Sequence, residues 1–238
     1  MSGEDPQERP EAIRNIINGL ERYNPEAAST LEGYLQLQCE EKFCDCNANR
    51  ALLKLYQLNP DRIKDEAITN ILVKAMTQFP SPQFDLCMHL LSPSHSNPAP
   101  TSTSELAEAV SKLRALNSQL EGAQYDRFWA TMDSDDLYAD LTTDIAGFEE
   151  MIRVRIAQLI SQAYREVDVA VLENWLGLDD EEEVKKFAVE TCGWKVGADN
   201  LVQIPKNAEN EAAKAEIRED VNIDMFARVI KRSWEETA

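Results

Sequence analysis

The chain has 238 residues, of which 43% are hydrophobic, so it is long and apolar enough to fold as one large domain or two small ones. Acidic residues outnumber Lys and Arg by 43 to 24, which gives a formal net charge of −19 at pH 7. Proteins that bind nucleic acids neutralise phosphates with Lys and Arg. The composition therefore argues against a general DNA- or RNA-binding role, since the basic residues here have acidic neighbours.

The N-terminal stretch MSGEDPQERPE is polar and acidic, unlike a signal peptide or a basic transit peptide. No apolar run approaches the roughly 18 residues of a membrane span. The five cysteines are an odd and sparse set for a chain of this length, which favours reduced thiols. We therefore expect a soluble, cytoplasmic protein that does not contact a membrane.

Apolar residues recur three and four positions apart through the first 145 residues, which predicts a series of amphipathic helices. Asn24-Pro25 and Asn59-Pro60 mark helix boundaries, because Asn caps free N–H groups and Pro has none to leave unpaired. The predicted apolar faces run over Ile13 to Leu20, Ala28 to Leu35, Ala48 to Leu55, Ile68 to Phe79, Phe84 to Leu91, Leu106 to Leu120 and Tyr125 to Leu141. We predict a right-handed helical-repeat domain of the HEAT or TPR kind over residues 1–145, although no strict consensus recurs.

One segment interrupts this pattern. Residues 92–104 read SPSHSNPAPTSTS and contain little that could be buried. Ser, Pro, Asn and Thr dominate such stretches in loops. Because helical patterning resumes on both sides, we predict a mobile loop inserted between helices rather than a domain boundary.

Residues 146–205 have the element order of a winged helix. A strong apolar stripe from Phe148 to Ala163 leads into a predicted strand at 165–167, and Asp168 can cap the helix that follows. Gly177 supplies a turn before a second helix. Two short strands at 194–196 and 201–204, around a Gly-Ala-Asp-Asn turn, then predict a β-hairpin wing.

The second helix of this unit opens with five consecutive acids, Asp179 to Glu183. Acids in the first turn stabilise the positive end of a helix dipole, and they could also face a basic partner. From Asp179 to Cys192 there are six acids against Lys185 and Lys186. On either interpretation the helix would be repelled by a phosphate backbone, so we predict that it does not bind DNA.

The remainder, residues 206–238, is predicted to be a C-terminal helical tail. EAAKAEIRED is a good helix former with a weak apolar face. Ile223, Phe226, Ile230 and Trp234 then fall three or four apart. Such a stripe either folds back on the chain's own winged helix or enters a partner's groove.

We predict two sets of partner-binding residues. The first is the tail stripe of Ile223, Phe226, Ile230 and Trp234. The second is the wing, whose strand edge could pair with another sheet and whose apolar residues are Trp194, Val196, Val202 and Ile204.

The sequence contains no motif that is typical of an enzyme. The sequence lacks GxSxG, HExxH, GxGxxG and GxxxxGK[ST] motifs. Cys87 and His89 are two residues apart and would point to different sides of a helix, and His95 lies in the predicted loop. Cys39, Cys44 and Cys46 have no partner motif that would complete a four-ligand zinc site. We therefore predict no catalytic residues, no cofactor and no metal.

Several strings resemble a known family. LERYNPEAASTLEGYLQLQ at 20–38, NRALLKLYQLNPD at 49–61 and ILVKAMTQFPSPQFDLCMHLL at 71–91 are similar to the k-subunit family of eukaryotic translation initiation factor three. The order of GFEEMIR at 147–153, the WLGL turn at 175–178 and GW at 193–194 is also similar. The loop at 92–104 and the long tail depart from the family pattern.

This resemblance implies a helical-repeat domain joined to a PCI-like winged helix. It also implies an accessory, non-catalytic subunit that assembles with other subunits of the factor, the l subunit first, with e and other PCI subunits nearby. The small ribosomal subunit would be reached through the complex. The alternatives are a PCI-type subunit of the proteasome lid or signalosome and, against the charge, a winged-helix nucleic-acid binder.

Overall fold

The computed structural model describes residues 6, 9–96, 104–197, 199–211 and 223–235, and over these ranges it is built mainly of helices. The helices are α1 Glu11–Asn18, α2 Ala27–Glu40, α3 Cys46–Leu58, α4 Asp65–Met76, α5 Gln83–Met88, α6 Pro93–Ser96, α7 Glu105–Glu121, α8 Tyr125–Met132, α9 Asp136–Thr143, α10 Phe148–Ala163, α11 Val169–Leu176, α12 Glu181–Lys186 and α13 Ile223–Glu235. The strands are β1 Glu166–Asp168, β2 Lys195–Val196 and β3 Leu201–Gln203. None of these helices is both long and apolar enough to cross a membrane.

Helices α1 to α9 form the predicted helical stack, with α4 at its centre. Helix α4 packs against α2, α5, α7 and α9, and its side chains from Asn70 to Met76 are all buried. A helix that is buried on every side needs apolar residues all round rather than a single stripe. The sequence ILVKAM supplies them, with Lys74 as its one charged residue.

One local prediction in this part was wrong, and a second, the mobile loop, is described only in part. Leu20 was expected on the buried face of the first helix, but α1 ends at Asn18 and Leu20 is 90% exposed. Gly19 ends the helix in an extended conformation and a turn of 3-10 helix follows, which breaks the 3.6-residue period. Within the predicted loop, Pro93–Ser96 form the short helix α6; residues 97–103 lie outside the described ranges.

The elements α10 to α12 and β1 to β3, from Phe148 to Gln203, have the arrangement of a winged helix. The Asp168 carboxylate accepts a hydrogen bond from the Ala170 N–H at 2.9 Å, so the predicted cap of α11 is confirmed. Gly177 ends α11 with a φ of +57°, a left-handed conformation that favours glycine. Helix α12 continues as a π-helical turn over Phe187–Thr191 before the wing.

The three strands form one antiparallel sheet in the order β1-β3-β2. Val167 pairs with Val202, and Val196 pairs with Val202 from the other side. The wing is therefore a hairpin that is joined to the strand preceding α11, as the winged-helix prediction requires. A helical stack followed by a small winged helix is thus confirmed as the fold class.

The buried core runs without a break from the stack into the winged helix. Phe148, Ile152, Ile156 and Ile160 of α10 are all buried, as the stripe predicted. They belong to the same cluster as residues of α4, α7 and α8. The division into domains at residues 1–145, 146–205 and 206–238 stays a prediction. In the tail, the predicted helix over EAAKAEIRED falls almost wholly on residues 212–222, outside the described ranges.

Candidate partner-binding surfaces

The C-terminal helix α13 exposes its whole apolar stripe. Its four predicted partner-binding side chains are between 53% and 84% exposed: Ile223, Phe226, Ile230 and Trp234. At 100° per residue they fall within about 100° of one another around the helix axis. Among the described residues, no side chain of α13 is buried. The stripe is therefore available for another surface to cover.

The rest of α13 is mostly polar. Arg228, Lys231 and Arg232 lie away from the stripe, and they outnumber Asp224 and Glu235 by three to two. A chain of net charge −19 thus carries a slightly basic terminal helix. Helices of this kind bind by placing an apolar face in a groove while the polar face stays in water.

The wing differs from the tail in where its apolar side chains point. Trp194, Val202 and Ile204 are buried in this protein's own core, and Val196 is half-buried. Side chains alternate across a strand, so one face of the hairpin packs inward while Leu201 and Gln203 face solvent. A partner could therefore meet the wing through its backbone edge at β2, but not through these four side chains as a group.

The acidic helix α12 is locally well formed. Its N-cap residue Asp180 accepts a hydrogen bond from the Glu182 N–H at 3.1 Å. Lys185 lies 3.3 Å from the Glu181 carboxylate, one turn earlier. The side chains of Glu181 to Glu183 are exposed, so the surface that enters the major groove in DNA-binding winged helices is negative here.

Sequence reasoning missed the junction between the stack and the winged helix. Arg153 of α10 donates from Nε to the Leu176 carbonyl oxygen at 2.9 Å and from Nη2 to the Gly177 carbonyl oxygen at 3.3 Å. Its guanidinium lies 4.9 Å from the Trp129 ring centroid, a cation–π distance. In the sequence Arg153 stands out only as a basic residue with acidic neighbours, because no spacing links it to carbonyl groups 23 positions later.

The thiol and the histidine that are nearest to each other in sequence, Cys87 and His89, lie in different environments. Cys87, in α5, is buried, whereas His89, the residue just after the end of α5, is exposed. Burial raises the pKa of the Cys87 thiol to about 12, which keeps it protonated and unreactive at neutral pH. The five cysteines are free thiols, and the described ranges hold no group of three or more His, Cys, Asp or Glu that could bind a metal ion.

Known proteins that are similar to this chain match it over nearly its whole length and agree with one another in their names. A family model described as the CSN8/PSMD8/EIF3K family matches residues 62–216. Similar proteins include eukaryotic translation initiation factor 3 subunit K of Neurospora crassa, at 81% identity with all of both chains covered. The subunit K of Pyricularia oryzae strain Y34 is 72% identical, over 100% of this chain and 98% of its own. That of Aspergillus fumigatus strain CBS 144.89 is 49% identical, over 97% and 96%.

A helical stack that ends in a small winged helix fits the class of PCI-like proteins. The matched region runs from the start of α4 through the wing and thus includes the centre of the stack. The chain belongs to the CSN8/PSMD8/EIF3K family.

Proposed function

We propose that the chain is a non-catalytic accessory subunit of eukaryotic translation initiation factor 3. The observation that carries the proposal is the likeness to initiation factor subunits at 81% and 72% identity over the whole chain. Proteasome-lid and signalosome subunits are related to the chain through the family model. The resemblance in residues 20–38, 49–61 and 71–91 agrees with this assignment.

The chain acts through protein–protein contacts rather than through chemistry. Six large apolar side chains are exposed on the terminal helix, and the thiol nearest to a histidine in sequence is buried and protonated. Large exposed apolar side chains on one helix face are typical of interaction sites. The α13 stripe is the surface with which the chain binds other subunits of the factor, the l subunit first and e and other PCI subunits nearby.

Contact with the small ribosomal subunit is made through the complex. A net charge of −19 opposes direct binding to ribosomal RNA, because each phosphate contact requires a neutralising Lys or Arg. The wing edge at Lys195–Val196 is a second protein-binding surface, through its backbone. The chain works in the cytoplasm, where initiation takes place.

Sedimentation of cell extracts tests this function. The tagged full-length chain, expressed in its own cells, is separated on a sucrose gradient and detected in each fraction. We expect a peak with the small ribosomal subunit, which moves to lighter fractions together with other initiation factor subunits when high salt strips the factor from the ribosome. A chain that stays at the top of the gradient under all conditions would contradict the proposal.

A further inference from the structure

A cleft of about 570 Å³ lies behind the junction, where the ends of α7 and α10 meet α8 and α11. Its apolar wall includes Leu120, Leu159 and Ile160. Three aromatic residues also line it: Tyr125 at the start of α8, Tyr164 just after α10, and Trp175 in α11. Such concave, aromatic-lined sites are the usual form of a binding pocket.

Two of the aromatic rings are close together, and one of them is open to solvent. The centroids of Tyr164 and Trp175 are 5.6 Å apart with their planes at 44°. Tyr164 is 46% exposed, whereas Tyr125 is buried deeper in the cleft. Burial, and to a smaller extent the neighbouring Tyr164, raises the pKa of Tyr125, which agrees with the two phenols sharing this cleft.

Two carboxylates also line the cleft. Glu121, the last residue of α7, accepts a hydrogen bond at 2.9 Å from the buried side-chain amide of Asn117. Glu209 comes from the segment after the wing. That segment is held in place because the Asn207 and Asn210 side-chain amides both donate to the Ser161 carbonyl oxygen, at 2.7 Å and 2.9 Å.

We propose that this aromatic cleft binds a lysine or arginine side chain of a protein partner. The faces of tyrosine and tryptophan rings attract cations, and the long stem of a basic side chain is itself apolar. The stem is expected to pack against Tyr164 and Trp175, with the charged end near Glu121 and Glu209. The negative charge of the lining and of the whole chain favours a basic occupant over an acidic or neutral one.

This site goes beyond the proposed function. It can be tested on the isolated full-length chain, without any other subunit, so the test does not depend on assembly into the factor. The reporter is the indole N–H resonance of Trp175 in the NMR spectrum. The two probes are N-acetyl-lysine methylamide and N-acetyl-norleucine methylamide, which have similar stems and differ in charge. We expect a saturable shift of the Trp175 signal, with the lysine probe binding about threefold to tenfold more tightly than the norleucine probe.

Two variants and one control test which residues are responsible. Tyr164→Ala removes a ring. Glu121→Gln with Glu209→Gln removes the charges, while the new amide oxygen at position 121 can still accept the hydrogen bond from Asn117. Each variant is expected to remove most of the preference for the lysine probe. The control, Tyr23→Ala, deletes another exposed tyrosine, which lies in the 3-10 turn after α1 and outside the cleft. It is expected to leave the preference for the lysine probe unchanged.

Three results would overturn the inference. Equal binding of the two probes would mean an apolar pocket without preference for a cation. Absence of any Trp175 shift with either probe would mean that the cleft is not a site. A shift that emerges only after Arg228, Lys231 and Arg232 are all changed to Gln would mean that the chain's own tail, rather than a partner, fills the cleft.

Discussion

The indole Nε1 of Trp129 donates a hydrogen bond of 2.9 Å to the backbone carbonyl oxygen of Trp175. The first residue belongs to α8 of the helical stack and the second to α11 of the winged helix. Arg153 packs on the same indole ring and bonds to the next two carbonyl oxygens, those of Leu176 and Gly177. Three consecutive backbone carbonyls are thus bonded to side chains, the first to one from α8 of the stack and the next two to Arg153 of α10, within the winged-helix unit.

Gly177 is the tightest point of this junction. It has a φ of +57°, and a Cβ built there would lie 2.5 Å from the Trp129 ring. Gly177→Ala is expected to lower the free energy of unfolding by about 1–2 kcal/mol for the left-handed backbone. A further cost of about 1–3 kcal/mol is expected from displacing the indole. Urea denaturation of the full-length chain measures the sum.

Gly193→Ala is the matched control for this prediction. Gly193 has a similar φ of +68°, but a Cβ there would meet nothing within 4 Å. Gly193→Ala is therefore expected to lower the free energy of unfolding only by the cost of the left-handed backbone, about 1–2 kcal/mol. If the two variants lose the same stability, the contact between Gly177 and Trp129 has no energetic role at the junction.

The sequence predicts this part of the fold well wherever the signal is local. The spacing of Phe148, Ile152 and Ile156 identifies the buried face of α10, and Asp168 identifies the start of α11, because both depend on neighbours within one or two turns. The bond between Trp129 and Trp175 joins residues 46 positions apart, which no periodicity encodes. Leu20 was misplaced because the helix ends at Asn18, before its apolar pattern does.

Asp45 connects the N-terminal segment to the stack. Its fully buried carboxylate accepts from Arg9 Nε at 2.5 Å and Nη2 at 2.7 Å, and from the Ala48 N–H at 3.0 Å as the cap of α3. Asp45→Ala removes the cap and leaves Arg9, itself mostly buried, without this carboxylate. We expect a loss of about 3 kcal/mol or more in the free energy of unfolding.

A solvent-exposed ion pair provides the comparison for the stability cost of Asp45→Ala. Glu26 lies 2.7 Å from Arg62, and both side chains are largely in solvent. Glu26→Ala is expected to cost less than about 1 kcal/mol in chemical denaturation. Equal costs for Asp45→Ala and Glu26→Ala would show that the Asp45 network does not stabilise the stack.

The burial of Lys74 is expected to make the stability of the protein depend on pH in a specific way. It is fully buried in α4 and donates to the Glu41 carbonyl oxygen at 3.1 Å, and burial lowers its pKa below the ordinary value of 10.5. Between the lowered pKa and 10.5 the unfolded chain binds more protons than the folded chain, so the Lys74 contribution to stability rises with pH in that window. Wild type is expected to gain stability relative to Lys74→Met as the pH is raised toward 10.5.

Denaturation of both chains across neutral and alkaline pH tests the Lys74 prediction. Burial raises the pKa of Cys39, and a hydrogen bond with Cys46 together with burial raises that of Cys44. Both shifts destabilise the folded chain at alkaline pH, but these thiols are present in both proteins. Subtracting the free energy of unfolding of Lys74→Met from that of wild type therefore removes most of the pH dependence that comes from these thiols. A difference that is constant with pH would mean that Lys74 does not titrate differently in the folded state.

The apolar stripe of α13 is expected to bind other subunits. Phe226→Ala with Trp234→Ala should reduce recovery of partner subunits in an affinity purification by about tenfold or more, since buried aromatic anchors carry much of an interface's energy. Thermal unfolding of the isolated chain should not change. The control is Met225→Ala, because this side chain is also exposed and apolar but lies about 100° or more around the helix axis from each stripe residue.

Two results would contradict this assignment of the stripe. Equal recovery with the stripe variant and its control would show that the stripe is not the binding surface. A loss of cooperative unfolding in the stripe variant alone would show that α13 packs on the chain's own winged helix.

The candidate surfaces were predictable to different extents. Spacing alone identifies α13 as amphipathic, but whether its stripe is covered depends on tertiary packing, which spacing does not determine. The apolar wing residues Trp194, Val202 and Ile204 are buried because of how the sheet packs on the helices. The cleft lined by three aromatic residues could not be predicted, because it brings together side chains from separate helices.

Affinity purification of the tagged full-length chain from its own cells, followed by mass spectrometry, tests the central claim most directly. We predict recovery of the subunits of translation initiation factor 3 in near-stoichiometric amounts, with the l subunit most enriched. Recovery of proteasome-lid or signalosome subunits instead, or of no stoichiometric partner, would contradict it.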